Sequence, residues 1–144
     1  MKRKHSLVSA NGRKWLSRIL IGIVLFANLQ CAVLFLWNPA GYAPGFELSG
    51  AIGEAMVRAI GLLFLMWNVP YAVALWNPLK HRVSLYEAIV MQAIGVIGET
   101  LLWWKIPAGH PALEATVTRF IAFDAFGLLA LLVAAWIVFK ESGK

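Results

Sequence analysis

The chain is poor in charge and almost without cysteine. Of its 144 residues, 14% are charged, with seven carboxylates against thirteen lysines and arginines; soluble domains carry roughly 25%. One cysteine, Cys31, excludes an intrachain disulfide and any metal site built on paired thiolates. Lying within an apolar run, it reads as a small buried hydrophobe. The three histidines, His5, His81 and His110, all fall outside the long apolar runs, so haem ligation by two histidines inside the membrane is unsupported. His110, alone between two prolines, reads as solvated surface, and no metal site is expected. The chain has no phosphate-binding glycine loop and no nucleophile–base pair. A net charge of +6 comes without an aromatic–basic motif, which argues against nucleic acid as a partner. Basic residues gathered at the cytoplasmic ends of helices explain the excess.

What remains is hydrophobic: 60% of the residues are apolar and the mean hydropathy is +0.72. A soluble chain of this size could not hide that much apolar surface. The length fits one domain, and the apolar runs divide it into four membrane spans at about 15–37, 51–76, 85–104 and 115–139. A basic tail, 1–14, precedes them and a short polar tail, 140–144, follows. The first run is about twenty residues long and has no small-x-small cleavage site, so it reads as a retained anchor and not a signal peptide. The basic tail is expected to be disordered or surface-lying and to act as a topology signal. Its alternative use is contact with anionic lipid, at about 1 kcal/mol per basic residue near the surface.

Trp-Asn-Pro closes the first span at Trp37 and the second at Trp76. Asn takes the last helical turn, and Pro cannot continue it. Residues 40–50 and 106–114 read as loops on one side, and 79–84 as a tight basic turn on the other. Lys2, Arg3, Lys4, Arg13, Lys14, Arg18, Lys80, Arg82, Lys140 and Lys144 all fall on the side of the basic turn, against Lys105 opposite. The positive-inside rule then makes both termini cytoplasmic. Short connections favour antiparallel neighbours, and the expected fold is an all-α integral membrane four-helix bundle.

The spans contain polar residues that lipid would not tolerate. In the first, at least one of Asn28 and Gln30 is expected to turn inward. In the second, Glu54 and Arg58 stand four apart in the favourable order for an ion pair. Ala51, Ala55 and Ala59 form a small-residue row there, and Pro70 frees a carbonyl that Asn68 could satisfy. In the third, Ala88, Gln92, Gly95, Glu99 and Trp103 follow helical spacing and mark one polar, small-residue face. The fourth holds Arg119 and Asp124. With the inferred topology, Glu54, Arg58, Glu99, Arg119 and Asp124 all fall in the outer half of the membrane. Two bases and three acids are expected to pair in one inward-facing network, with Gln92 beside it. The pairing of particular acids with particular arginines stays open. The network either fixes helix register or heads a pocket for a lipid, quinone or similar amphiphile. Proton or ion translocation is the third alternative.

The stretch LFLWNPAGYAPGFELSG, followed by MVRAIGLLFLMWNVPYAVALWNP, resembles the small four-helix membrane proteins of the DoxX-like group. The shared order is a Pro-Gly loop, an Arg-x-x-Gly entry to the second span and a basic turn. It covers the first half of the chain by motif and the rest by span count. The resemblance implies a bacterial inner-membrane protein. Some relatives associate with quinone-linked sulfur oxidation or redox partners, but no redox centre is written here, so that activity is not carried over. The leading expectation is a non-catalytic accessory subunit or scaffold, packed against other membrane subunits or itself. Two alternatives stand beside it. One is a binding module with a cavity lined by Arg58, Gln92, Glu99 and Asp124. The other is a small transporter or membrane-enzyme subunit. No cofactor is identified.

Overall fold

The structure, a computed structural model, describes residues 10–140. Lys2, Arg3 and Lys4 of the basic tail and residues 141–144 of the polar tail lie outside the described residues. Five helices make up the fold: α1 (Ala10–Trp37), α2 (Pro39–Tyr42), α3 (Gly50–Trp76), α4 (Arg82–Trp103) and α5 (Pro111–Phe139). A 3-10 turn, Ala43–Phe46, follows α2, and there is no strand among the described residues. The four long helices are each long and apolar enough to cross a membrane. At 1.5 Å per residue even the 22-residue α4 reaches about 33 Å, against a hydrocarbon core of about 30 Å. Their outward surface is apolar: Ile52 is 81% exposed, Phe26 69% and Leu129 62%. That is the exterior of a multi-pass membrane protein.

The helix ends follow from local chemistry. Asn38 and Asn77 have left helical geometry, at φ −129° and −154°, because the proline after each disfavours the α region. Asn77 then holds the next turn, accepting from the Lys80 and His81 amides at its carbonyl oxygen. Four expected boundaries are corrected. Residues 10–14 are the first turn of α1, not part of a tail. Residues 40–50 are mostly coiled into α2 and the 3-10 turn. α5 begins at Pro111, inside the expected 106–114 loop, since proline suits the first helical turn, where no amide donor is needed. Helix α4 likewise starts at Arg82, inside the expected turn.

Each long helix packs against two others: α1 against α3 and α5, and α4 against α3 and α5, with α3–α4 the sparsest seam. Ser17 Oγ donates to Ala134 O at 3.2 Å and Arg18 Nε to Leu75 O at 3.0 Å. The start of α1 therefore lies beside the ends of α3 and α5. Burial divides into two apolar clusters. One, towards the 77–81 turn, is built on Ile21, Val24, Leu25, Ala74, Leu85, Leu131 and Ala134. The other, at the opposite end, gathers Phe35, Ala43 and Val57 with Tyr42, Phe46, Phe64 and Phe120. Tyr42 and Phe46 fold back over the helices, with ring centroids 5.0 and 5.8 Å from Phe35. The polar layer lies between the two clusters.

Candidate functional site

Asp124 sits at the midpoint of α5, deeper than the outer half expected for it, and is half-buried. Its Oδ1 accepts a hydrogen bond from Gln92 Nε2 on α4 at 2.8 Å. Gln92 Oε1 in turn accepts from the Tyr71 hydroxyl of α3 at 2.5 Å, which also lies 3.2 Å from Ala88 O. Three helices are thus joined by one chain of side-chain hydrogen bonds, with Gln92 3% and Tyr71 2% exposed. In a bilayer such groups have no water to fall back on, so satisfying them internally fixes the helix positions. Two glycines make the approach possible. A Cβ on Gly95 would overlap Asp124 Oδ2, and one on Gly127 would stand 2.5 Å from Gln92 Nε2. Each glycine leaves room for the polar side chain of the facing helix.

Two cavities meet at this layer. The larger, about 180 Å³, is lined by Asn28, Cys31, Phe64, Arg119, Phe120, Phe123 and Asp124. The smaller, about 30 Å³, is lined by Asn28, Phe64, Trp67, Asn68, Tyr71, Met91, Gln92 and Asp124, and has room for about one water. Asn28, Phe64 and Asp124 border both. The walls are therefore aromatic and the floor is polar. Met91 also borders a groove on the outer side of α3 and α4, beside Pro70 and Val90. Asn68 is 3% exposed and its Oδ1 has no hydrogen-bond partner. Its Nδ2 donates to Phe64 O at 2.6 Å, not to the Met66 carbonyl that Pro70 frees.

The single network of five charges does not form. Arg58 pairs with Glu54 at 3.4 Å on an exposed face of α3, the two side chains being 52% and 35% exposed. That face points away from the buried positions Gly53, Val57 and Gly61, and the pair lines neither cavity. Arg119 donates to Ala115 O and to Thr116 Oγ1 at 3.2 and 3.1 Å. Among the described residues no carboxylate lies within ion-pair distance of it. Glu99 is half-buried on α4, its Oε2 enclosed and without a hydrogen-bond partner, and within electrostatic reach of Asp124. Of the expected residues, the structure brings together Gln92, Asp124 and, nearby, Glu99. Arg119 sits at the cavity wall, while Glu54 and Arg58 stand apart. A cation near a carboxylate is cheap to write into a sequence. Helix rotation decides whether they meet, and α3 turns its glycine face inward.

Tyr71, Asn68 and the three phenylalanines were not among the expected site residues. Tyr71 follows Pro70 near the end of an apolar run, where an aromatic reads as an interface anchor. Its seven-residue offset from Phe64, which puts both on one face, was the available signal. Of the two amides in the first span, Asn28 borders both cavities and Gln30 is exposed.

At the far end from the 77–81 turn, α2 and the 3-10 turn are fastened to the start of α5. Glu47, in the left-handed region at φ 57°, accepts from His110 Nδ1 at 2.5 Å and from the Leu113 amide at 3.3 Å. His110 is thus partnered, not simply solvated. The hydrogen bond from His110 holds the Glu47 carboxyl below its ordinary range, with the Leu113 and Ala112 amides and the His110 charge adding to it against a small opposing effect of desolvation. Thr116 Oγ1 donates to Gly45 O at 2.7 Å and accepts from Arg119. Phe46 stacks on Phe120 at 6.1 Å. The fastening therefore reaches two residues of the cavity wall, Arg119 and Phe120.

Comparison with family models, curated proteins and solved structures gives no match. Among the described residues no group of three or more His, Cys, Asp or Glu is placed to hold a metal ion. The arrangement offers hydrogen-bond acceptors at the base of an aromatic slot and a guanidinium on its wall.

Proposed function

We propose that the chain is a membrane-embedded binding module that holds a small amphipathic molecule, of lipid or quinone type, in the cavity beside Asp124. The observation that carries this is the cavity itself. A scaffold held by polar pairs alone calls for a filled layer, whereas here about 180 Å³ stays open between the two apolar clusters. An apolar cavity of about 150 Å³ accepts a benzene ring. Phe64, Phe120 and Phe123 offer ring faces, Asp124 and Asn28 the polar end. The four helices act as a bundle in a bacterial inner membrane with both termini cytoplasmic, in keeping with the basic 77–82 turn and the DoxX-like first half.

A second reading, an accessory subunit, draws on one feature. Ala51, Ala55 and Ala59 are all exposed, so the small-residue row of α3 is free for a helix of another subunit. Purification in nanodiscs followed by native mass spectrometry separates the two. The binding reading expects a bound small mass near one per chain. It expects Phe123→Trp, which fills the slot, to remove that mass while the protein stays folded. Protein partners in fixed stoichiometry, with no small mass in either form, would favour the subunit.

A further inference from the structure

The polar floor is rich in acceptors and short of donors, and this narrows the ligand of the proposed pocket; the step rests on the binding reading above. Asn68 Oδ1 is buried without a partner. Glu99 lines neither cavity, but its Oε2 is enclosed nearby without a partner, one turn along α4 from Gly95, which packs on Asp124. Most donors around them are engaged: Asn68 Nδ2 on Phe64 O, Gln92 Nε2 on Asp124 Oδ1, the Tyr71 hydroxyl on Gln92 and Ala88, and the Asn28 side chain on Tyr71. No Lys or Arg among the described residues is within ion-pair distance of Asp124 or Glu99. Arg119 lines the same cavity, but its guanidinium is held by Ala115 O and Thr116 Oγ1, on the side of α5 away from the floor along the helix axis. A carboxylate in a low-dielectric site without a counter-charge is costly, and a bound cation removes that cost. Phenylalanines line the same cavity as Asp124, and an aromatic face attracts a cation, not an anion.

We infer that this pocket selects a protonated amine on a short, flat apolar body, with the ammonium placed between Asp124 and Asn68 and the body against Phe64 and Phe120.

The test uses the full chain in nanodiscs, by equilibrium dialysis against empty discs, with three probes of one shape: phenethylamine as its cation, 2-phenylethanol as the neutral form and 3-phenylpropanoate as the anion. The expected result is retention of the amine about tenfold or more above the alcohol, with no retention of the anion. Asp124→Asn, which keeps the size of the side chain and its hydrogen bond to Gln92, should bring the amine down to the level of the alcohol. If amine and alcohol are retained equally, or the anion is preferred, the cationic selection is wrong and the pocket stands. If none of the three is retained above empty discs, both the selection and the pocket are wrong. The wild-type probe series decides the question even if the variant fails to fold.

Discussion

Whether α4 and α5 can approach at all is decided by single atoms at Gly95 and Gly127. Gly95→Ala places a methyl group where Asp124 Oδ2 now lies. Either the carboxylate turns away and its bond to Gln92 is lost, or the helices separate. Overpacking of this kind costs about 1–3 kcal/mol. Gly98→Ala, one turn away and with nothing within 4 Å of the new Cβ, removes only the helix penalty of glycine, about 0.5–1 kcal/mol. Thermal unfolding in detergent should therefore show Gly95→Ala melting clearly below wild type and Gly98→Ala at or above it. Equal melting of the two would mean that the glycine contact carries no weight. Gln92, Gly95 and Asp124 were legible beforehand, because positions three and four apart on a helix share a face whatever the partner. The partners of Arg58 and Arg119 were not. The Glu54–Arg58 spacing allows a local pair on any face, and only the inward turn of Gly53, Val57 and Gly61 decides that this pair faces outward. The reach of Arg119 back to Thr116 depends in turn on where α5 begins.

The connection between α1 and α3 acts as an element in its own right. Its coil into α2 and a 3-10 turn was hidden in the sequence by Gly41, Pro44 and Gly45, which suit a loop equally well. The Pro at position 39 and the later contacts of Phe46 and Glu47 with α5 supply the order. Such long-range contacts leave no local pattern to read, whereas the Asn-Pro helix stops were readable because their cause is local. The Glu47 clasp gives the connection a pH dependence of definite sign. Its carboxyl is held below its ordinary range, first by the hydrogen bond from His110. A depressed carboxyl contributes when pH is above its unfolded value and is lost as pH falls through its folded value. The clasp should therefore be intact at neutral pH and open on acidification below the ordinary carboxylate range. Because the pair is exposed, the effect is local and weakened by salt. Hydrogen exchange of residues 43–48 should speed up on acidification beyond the intrinsic trend in wild type, and Glu47→Gln should show fast exchange at every pH. Protection that is the same in both proteins at neutral pH would remove the clasp from the account.

For the molecule as a whole, sidedness rests on where charge sits once the helices are packed. The end that carries the 77–81 turn holds Arg13, Lys14, Arg18, Lys80, Arg82 and Lys140. Three of these rest on aromatic rings there: Arg18 over Trp15 at 4.5 Å, Lys140 over Trp136 at 4.6 Å and Arg82 over Phe139 at 5.7 Å. Such pairs suit a headgroup region, where a ring is half in lipid and a cation half in water. The opposite end offers Lys105 beside exposed Trp103 and Trp104, and the Glu47–His110 clasp. Arg58 and Arg119 also belong to that half, but Glu54 offsets the first. A bilayer that sorts loops by Lys and Arg should then leave the 77–81 turn in the cytoplasm. The chain has a single cysteine to remove, which makes the test direct. In a Cys31→Ala background, Ser49→Cys and Gly109→Cys should react with an impermeant maleimide on intact cells. Lys80→Cys should react only after the membrane is opened. The reverse pattern would invert the protein and turn the clasp towards the cytoplasm. There it would meet a near-neutral pH that does not open it, and the acid response argued above would have no compartment in which to act.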